Sequence, residues 1–152
     1  MINRQKDTIY IERWEGFFLY PVDDENYDIP KRVNFHINVE IKNDIFIGTH
    51  SDEESAPVFE EDEKLKGYFE DDFLSFILKY PYLYFLDEFG QQKTDKNKNH
   101  PEIHYYGNFN QKTNSYLGAW EMFEEFNDEF GSPWIERTEG TWEFKVTSSK
   151  VK

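Results

Sequence analysis

Cysteine is absent from this chain of 152 residues. Its absence excludes a disulfide framework, a thiolate zinc site and a cysteine nucleophile. Long apolar runs are also lacking, since the longest apolar and aromatic stretch, residues 80–86, is far below the roughly 20 residues of a membrane helix. The N-terminal residues carry Arg4, Lys6 and Asp7 and no apolar segment of the kind that secretory signals contain. We therefore expect a cytoplasmic protein that does not bind a membrane.

Basic residues are scarce. The chain has 17 lysines and arginines against 31 aspartates and glutamates, which gives a formal net charge of −14. Nucleic-acid binding needs basic side chains that neutralise phosphates, so this balance argues against it. The acidic surface is expected to serve solubility, or else to steer the chain toward a basic partner protein.

Sequence patterns of catalysis are missing as well. No serine stands in a Gly-x-Ser-x-Gly turn, and there is no glycine-rich phosphate loop. Glu121 and Glu143 each follow a tryptophan. If the tryptophans point into the barrel, strand alternation turns both glutamates outward, where they would make a poor acid–base pair. We expect no enzymatic activity and no cofactor.

Metal ligands are not expected either. His100 and His104 are the closest histidine pair, but in a strand they would lie about 13 Å apart, too far to share an ion. The acidic runs lack the spacing of an EF-hand loop and are interpreted as solvated charge. These runs are residues 23–25, 52–54, 60–63 and 70–72.

Glycines followed within two residues by an aromatic recur along the chain. A glycine within a strand usually marks a bend, a bulge or a close backbone approach, and a barrel needs such points repeatedly. Large aromatics beside them fill the space that the absent side chain leaves. The pattern occurs at Gly16, Gly67, Gly107, Gly118 and Gly140.

Strict alternation of apolar and polar residues from Val33 to Lys42 predicts a half-buried strand. Asn43-Asp44 then predicts a tight turn, and residues 45–48 the returning strand, whose inner face the pattern leaves undecided. Further short strands are expected at residues 65–69, 73–80, 82–89, 103–109, 116–121 and 138–146. Sequential short strands with little helix predict an all-β fold, an up-and-down antiparallel β-barrel of about eight strands.

The whole chain, 1–152, is expected to form one barrel domain with a core over about residues 10–147. Four segments fit the barrel less well. Residues 60–64 are expected to be an exposed loop or strand start, 91–100 a mobile loop, 122–130 one short amphipathic helix or a wide acidic loop, and 147–152 a frayed tail.

Three glycine–tryptophan segments resemble the strand ends of calycins, the group that includes lipocalins and avidins. They are residues 14–17, 118–121 and 140–143, and residues 47–49 and 66–68 are similar to inner hairpins of the avidin and lipocalin groups. The resemblance implies an up-and-down barrel that holds a small, mostly apolar ligand in its mouth or lumen. It does not specify the ligand, because the Gly-x-Trp order of lipocalins is reversed here and no biotin-type set of polar residues maps onto the chain.

Large inward-phase residues near strand centres or glycine bends are the candidates for lining a ligand pocket. They are Trp14, Phe35, Ile37, Tyr105, Trp120, Trp142 and Phe144. The same side chains would equally fill a small barrel and leave no pocket. The sequence thus favours a non-enzymatic barrel that binds a small apolar or aromatic ligand or acts as a scaffold. The alternative is an acidic protein-binding inhibitor, of the immunity or antitoxin kind, of a basic partner.

Overall fold

Ten β-strands and no helix make up the secondary structure of the residues that the computed structural model describes, 3–21, 31–87, 89 and 91–152. None of them therefore contributes a helix that could span a membrane. The strands are β1 (Ile9–Leu19), β2 (Arg32–Lys42), β3 (Ile45–Asp52), β4 (Glu63–Glu70), β5 (Phe73–Lys79), β6 (Leu83–Leu86), β7 (Gln92–Asp95), β8 (Ile103–Asn110), β9 (Ser115–Asn127) and β10 (Pro133–Val151).

Eight of the strands form a closed barrel in the order β1-β10-β9-β8-β5-β4-β3-β2. All neighbours are antiparallel, and the first and last strands close the barrel by pairing from Tyr10↔Val151 to Leu19↔Thr141. Closure leaves no strand edge exposed in the barrel. The predicted fold class, and the architecture implied by the resemblance to calycins, are confirmed. The remaining two strands, β6 and β7, form a separate hairpin between β5 and β8.

The alternation in β2 has the predicted effect. Val33, Phe35, Ile37, Val39 and Ile41 are all buried, and the residues between them are exposed or half-buried. The turn that follows has positive φ at both Asn43 (51°) and Asp44 (65°), which matches the backbone twist that a two-residue hairpin needs.

The glycines mark close approaches between strands, as predicted. Gly107 of β8 pairs with Gly118 of β9, and a Cβ atom on Gly118 would lie 2.0 Å from the Tyr106 carbonyl oxygen and 2.5 Å from the Gly107 Cα. At Gly140 the space is filled by the aromatic residue opposite it on β9, because a Cβ atom on Gly140 would lie 2.5 Å from the indole of Trp120.

The expectation of one short amphipathic helix or a wide acidic loop at residues 122–130 is wrong for residues 122–127, and only residues 128–130 lie in a turn. β9 continues to Asn127 and pairs with β10 up to Pro133↔Asn127, so that the hairpin extends past the barrel. The three- and four-residue spacing of the phenylalanines is incidental, because cross-strand pairs such as Phe126↔Trp134 organise the segment with a period of two.

Two segments that were expected to be irregular are also strands. The tail at residues 147–152 is paired rather than frayed: β10 runs to Val151, and the Lys152 amide donates to the Ile9 carbonyl at 2.9 Å. Within the expected loop at 91–100, Gln92–Asp95 form β7 and pair with β6. Of the acidic runs, residues 23–25 lie outside the described residues.

Aromatic rings fill the part of the barrel nearest the start of β1. Trp14 stacks on Phe144 with ring centroids 4.6 Å apart, and Phe144 stacks in turn on Trp142 at 5.2 Å. The segment before β1 covers this end, since the guanidinium of Arg4 lies 4.5 Å from the centre of the Phe69 ring and binds the buried carboxylate of Glu12. We call this the closed end, and the end where β1 finishes the open end.

Candidate binding site at the open end of the barrel

A pocket of about 870 Å³ lies at the open end of the barrel. Its floor is formed by Phe18, Tyr105 and Trp120, which belong to three different barrel strands. Its walls come from the β6–β7 hairpin and from the part of the β9–β10 hairpin that extends past the barrel. The position follows from strand length, because both hairpins extend beyond the mouth of the barrel.

The floor is aromatic and held in place by hydrogen bonding and ring packing. The Trp120 indole nitrogen donates to the Leu19 carbonyl at 3.2 Å, which fixes the ring across Gly140 of β10 to the end of β1. Tyr20 packs edge-on against Trp120 at 5.7 Å and against Phe18 at 5.6 Å. Such a floor suits a flat apolar ligand, because rings pack favourably in edge-to-face and offset arrangements.

One corner of the pocket is polar and centred on Glu54. Its carboxylate accepts hydrogen bonds from the Tyr20 hydroxyl at 2.7 Å and the Tyr84 hydroxyl at 3.0 Å, and from the Lys31 ammonium at 2.8 Å. Burial, and then the charge of Glu54, raise the pKa of Tyr20 and of Tyr84 above the ordinary value. Both hydroxyls therefore stay protonated at neutral pH and donate to Glu54.

The opposite wall carries Met122, Glu124 and Phe126 on the inner face of β9. Phe126 stacks on Trp134 across the hairpin with ring centroids 4.8 Å apart. Burial, followed by the charge of Glu136 on the facing strand, raises the pKa of Glu124. The wall is thus an aromatic surface with one carboxylate whose ionised form is disfavoured.

His100 closes the side of the pocket next to the β6–β7 hairpin. Its imidazole packs on Tyr80 with ring centroids 4.7 Å apart and lies parallel to Tyr84 at 6.4 Å. Burial lowers the pKa of His100, so the ring is neutral at pH 7. His104 has different contacts, Ser75 at 2.8 Å and Glu121 at 3.8 Å, so the two histidines share no partner.

A buried polar cluster lies beside the pocket and consists of His50, Asp52 and Glu63, joined by Ser55 and Tyr80. His50 Nδ1 is 3.4 Å from Glu63 Oε2 and 3.7 Å from Asp52 Oδ2. The Tyr80 ring lines the pocket, and its hydroxyl donates to Asp52 Oδ2 at 3.1 Å. Among the described residues this is the one group of histidine and carboxylates close enough to bind a metal ion together.

The interpretation of the acidic runs 52–54 and 60–63 as solvated charge is wrong for one residue in each run. Glu63 is 2% exposed and Asp52 is 3% exposed, whereas Glu60, Glu61 and Asp62 are exposed as expected. Glu63 begins β4 in phase with the buried Leu65, so the strand turns its side chain into the barrel.

The seven predicted lining residues are all buried, and the structure divides them into two groups. Tyr105 and Trp120 line the pocket. The other five pack in the filled part of the barrel or beside the cluster, because large rings occupy most of a small lumen. These five are Trp14, Phe35, Ile37, Trp142 and Phe144.

Several residues that line the pocket were not predicted from the sequence. Among them are Phe18, Tyr20, Glu54, Tyr84 and His100. The run Tyr80-Pro81-Tyr82-Leu83-Tyr84 was a usable signal, because so many tyrosines in one short segment need a shared apolar surface with polar partners. Glu54 carries no local signal, since only the fold brings the two tyrosine hydroxyls to it.

The fold and the pocket together define an eight-stranded up-and-down β-barrel with one end closed and a ligand-sized pocket at the other. No protein-family model matches the chain, and no curated protein is similar to it in sequence. Among solved structures, the chain is similar to the crystal structure of rhizavidin, with 11% sequence identity and a TM-score of 0.49, over 91% of this chain and 84% of that chain. A likeness of this degree says nothing about the ligand.

Proposed function

We propose that this protein is a non-enzymatic binding protein whose open end takes a small aromatic or otherwise apolar ligand. The observation that carries the proposal is the pocket of about 870 Å³, whose floor is Phe18, Tyr105 and Trp120. Pockets for small molecules in proteins commonly measure about 300–1,000 Å³ and combine apolar walls with a few polar groups. Tyr20 and Tyr84 supply the polar groups here.

The charges around the pocket favour a neutral or cationic ligand. Lys31 is paired with Glu54 at 2.8 Å, and Lys98 lies 3.9 Å from Asp95, so both lysines that line the pocket have acidic partners. Glu124 adds a further acidic group, and the chain as a whole carries −14. An anionic ligand, nucleic acid included, would therefore meet repulsion at long range and compete with existing ion pairs at short range.

The tyrosine hydroxyls favour a ligand that carries a hydrogen-bond donor. Each hydroxyl already donates its proton to Glu54. The lone pairs of the two oxygens remain as acceptors, although Gln92 Nε2 donates to Tyr84 at 3.2 Å. A ligand N–H or O–H group directed at Tyr20 would complete that corner.

The test uses Nile red, a neutral planar fluorophore, titrated against the full chain. We expect saturable binding and enhanced emission. Phe126→Ala removes a ring from the pocket wall and is expected to weaken binding about tenfold, the effect of losing roughly 1–2 kcal/mol of apolar contact. The matched control is Phe123→Ala on the outer face of the same strand, where the side chain is 53% exposed.

Equal affinity in the two variants would show that the dye binds elsewhere. Absence of binding to the folded chain would favour the other interpretation, a scaffold. The anionic dye 1-anilinonaphthalene-8-sulfonate is expected to bind more weakly than Nile red, and the reverse order would contradict the charge argument.

One observation supports the alternative of a protein-binding inhibitor. The extended β9–β10 hairpin exposes Phe123 (53%) and Ile135 (69%) on its outer face, next to acidic residues. Exposed aromatics flanked by charge are typical of binding hot spots. If this surface binds a basic protein, a pull-down at low salt recovers that protein with the wild-type chain and loses it with Phe123→Ala. Recovery that is independent of Phe123 and of salt would count against this function.

A further inference from the structure

We propose that His50, Asp52 and Glu63 form a binding site for one divalent transition-metal ion of the Zn²⁺ type, next to the pocket. All three side chains are buried, and one ligand atom from each lies within 4.8 Å of the others. This metal site is separate from the pocket, and its occupancy does not depend on what the pocket binds.

The distances fit coordination better than hydrogen bonding. His50 Nδ1 lies 3.4 Å from Glu63 Oε2 and 3.7 Å from Asp52 Oδ2. Hydrogen bonds of N–H to oxygen are typically about 2.7–3.2 Å long. Two ligands of a tetrahedral Zn²⁺ ion, each bound at about 2.0–2.1 Å, are separated by about 3.3 Å. The two separations that involve His50 Nδ1 are therefore close to the spacing of coordinated ligands, and the two carboxylate oxygens, which lie within 4.8 Å of each other, would close around an ion.

The two carboxylates are oriented so that one oxygen of each faces His50. Asp52 Oδ1 accepts hydrogen bonds from the backbone amides of Glu54 (2.9 Å) and Ser55 (2.7 Å), which leaves Oδ2 toward the imidazole. Glu63 Oε1 accepts a hydrogen bond from the Ser55 hydroxyl, which leaves Oε2 toward the imidazole. Ser55 thus positions both ligands, and Tyr80 adds a hydrogen bond to Asp52 Oδ2. Hydrogen bonds of this kind hold metal ligands in the coordinating orientation.

The charge balance also favours a cation. Among the described residues, the hydrogen-bond donors to the two carboxylates are Ser55, Tyr80 and backbone amides, all of them neutral. His50 is the one side chain in contact with both that is able to carry a positive charge. Two buried carboxylates without a full countercharge are costly, and a divalent ion supplies that charge.

His50 Nε2 provides a separate observation. The His50 side chain is 0% exposed, and its Nε2 atom has no hydrogen-bond partner among the described residues. Buried polar atoms without partners are rare in native proteins and often mark a functional group. Because Nε2 makes no hydrogen bond among the described residues, none has to break when the ring adjusts to coordinate through Nδ1.

The donor set selects the class of metal. One imidazole nitrogen and two carboxylate oxygens, without thiolate, suit Zn²⁺, Mn²⁺ or Fe²⁺. Mg²⁺ and Ca²⁺ prefer six or more oxygen ligands, which a site with one imidazole and so few oxygens does not offer.

The experiment titrates the full chain, first stripped with a chelator, with Zn²⁺ and with Co²⁺ as a visible probe. Millimolar Mg²⁺ is kept in the buffer to occupy the many surface carboxylates. We expect one equivalent of Zn²⁺ to bind and the Co²⁺ complex to show the intense visible bands of a four-coordinate site. Absence of saturable binding by the folded chain would refute the proposal.

Variants then locate the ion. Glu63→Gln retains a group that can accept from Ser55 and is expected to weaken Zn²⁺ binding at least tenfold, as is Asp52→Asn. The matched control is His36→Gln on the outer face of β2, a partly exposed histidine, which is expected to bind like the wild type. Wild-type affinity in the cluster variants would contradict the assignment.

A measurement on the wild-type chain removes any dependence on how the variants fold. Nitrogen NMR of the histidine rings reports which nitrogen takes up a metal. On addition of one equivalent of Zn²⁺, the signal of Nδ1 in one buried histidine is expected to shift, and the rings of His36, His100 and His104 are expected to stay unchanged. A shift confined to those three rings would place the ion elsewhere and overturn the proposal.

Discussion

Arg4 and Glu12 form a buried ion pair that covers the closed end of the barrel. The guanidinium donates to the carboxylate from Nε at 2.9 Å and from Nη2 at 2.6 Å, and the two side chains are only 6% and 0% exposed. Glu12 also accepts from the Trp14 indole at 3.0 Å and from Ser149 at 2.9 Å. One carboxylate thus joins the segment before β1 to the first strand, the last strand and the aromatic core.

Arg4→Ala is expected to lower the free energy of unfolding by about 3–5 kcal/mol, because it leaves the charge of Glu12 buried without its partner. Urea denaturation measures the loss. The control is Arg13→Ala, which removes an exposed pair with Glu15 at 3.6 Å and is expected to cost less than about 1 kcal/mol. Similar losses in both variants would mean that Arg4 contributes no more than a surface charge.

Trp142→Ala is expected to cost about 3–5 kcal/mol, because the indole is 2% exposed and its removal opens a cavity between β9 and the aromatic stack. The lost ring also takes away a hydrogen bond from its nitrogen to the Ala119 carbonyl at 2.8 Å. Denaturant melts of Trp134→Ala, where the ring is 45% exposed, provide the comparison. Equal losses at the two tryptophans would contradict the burial of Trp142 in the core.

The acidic run at residues 60–63 is expected to separate into two parts. Replacing Glu60, Glu61 and Asp62 with amides leaves the free energy of unfolding within about 0.5 kcal/mol per site, because these side chains are exposed. Glu63→Ala costs about 1–3 kcal/mol, because the buried hydroxyl of Ser55 loses its acceptor. Both are measured in chelator-treated protein, and a larger loss in the triple variant than in Glu63→Ala would reverse the assignment.

The barrel could be predicted from the sequence because local patterns specify it. The alternation of β2 and the Asn43-Asp44 turn fix one hairpin, and the glycines mark where strands pass close to one another. The pocket could not be predicted in the same way. Its walls are hairpins outside the barrel, where both strand faces are partly wet and the contrast between apolar and polar positions is weak.

The cluster was missed for a different reason. In β3 the residues at both phases near its start are apolar, so the sequence left the inner face undecided. Once Phe46 is known to point inward, a period of two carries His50 and Asp52 inward as well. Side chains of these types are seldom buried without partners. The partners here come from β4 and the loop before it, and no local pattern in the sequence reveals them.

The wall of the pocket is expected to give a pH-dependent change in stability through Glu124. Burial, and then the charge of Glu136, raise the pKa of this carboxyl above its ordinary value of 4.5. The folded state therefore binds the proton more readily than the unfolded state, so the ionised carboxylate opposes folding above the raised pKa. That cost disappears as the pH falls below about 4.5 and both states become protonated.

Glu124→Gln removes the ionisable group and is expected to stabilise the protein at pH 7. Because the side chain is half-buried and partly screened by solvent, the gain is modest, less than about 1 kcal/mol. Urea melts at pH 7 and near pH 4 should show the gain shrinking as the pH falls. Glu125→Gln, which removes the same charge from the exposed outer face, corrects for the overall charge of −14. A gain at Glu124 that equals the gain at Glu125, or that persists unchanged at pH 4, would show that the raised pKa has no effect on stability.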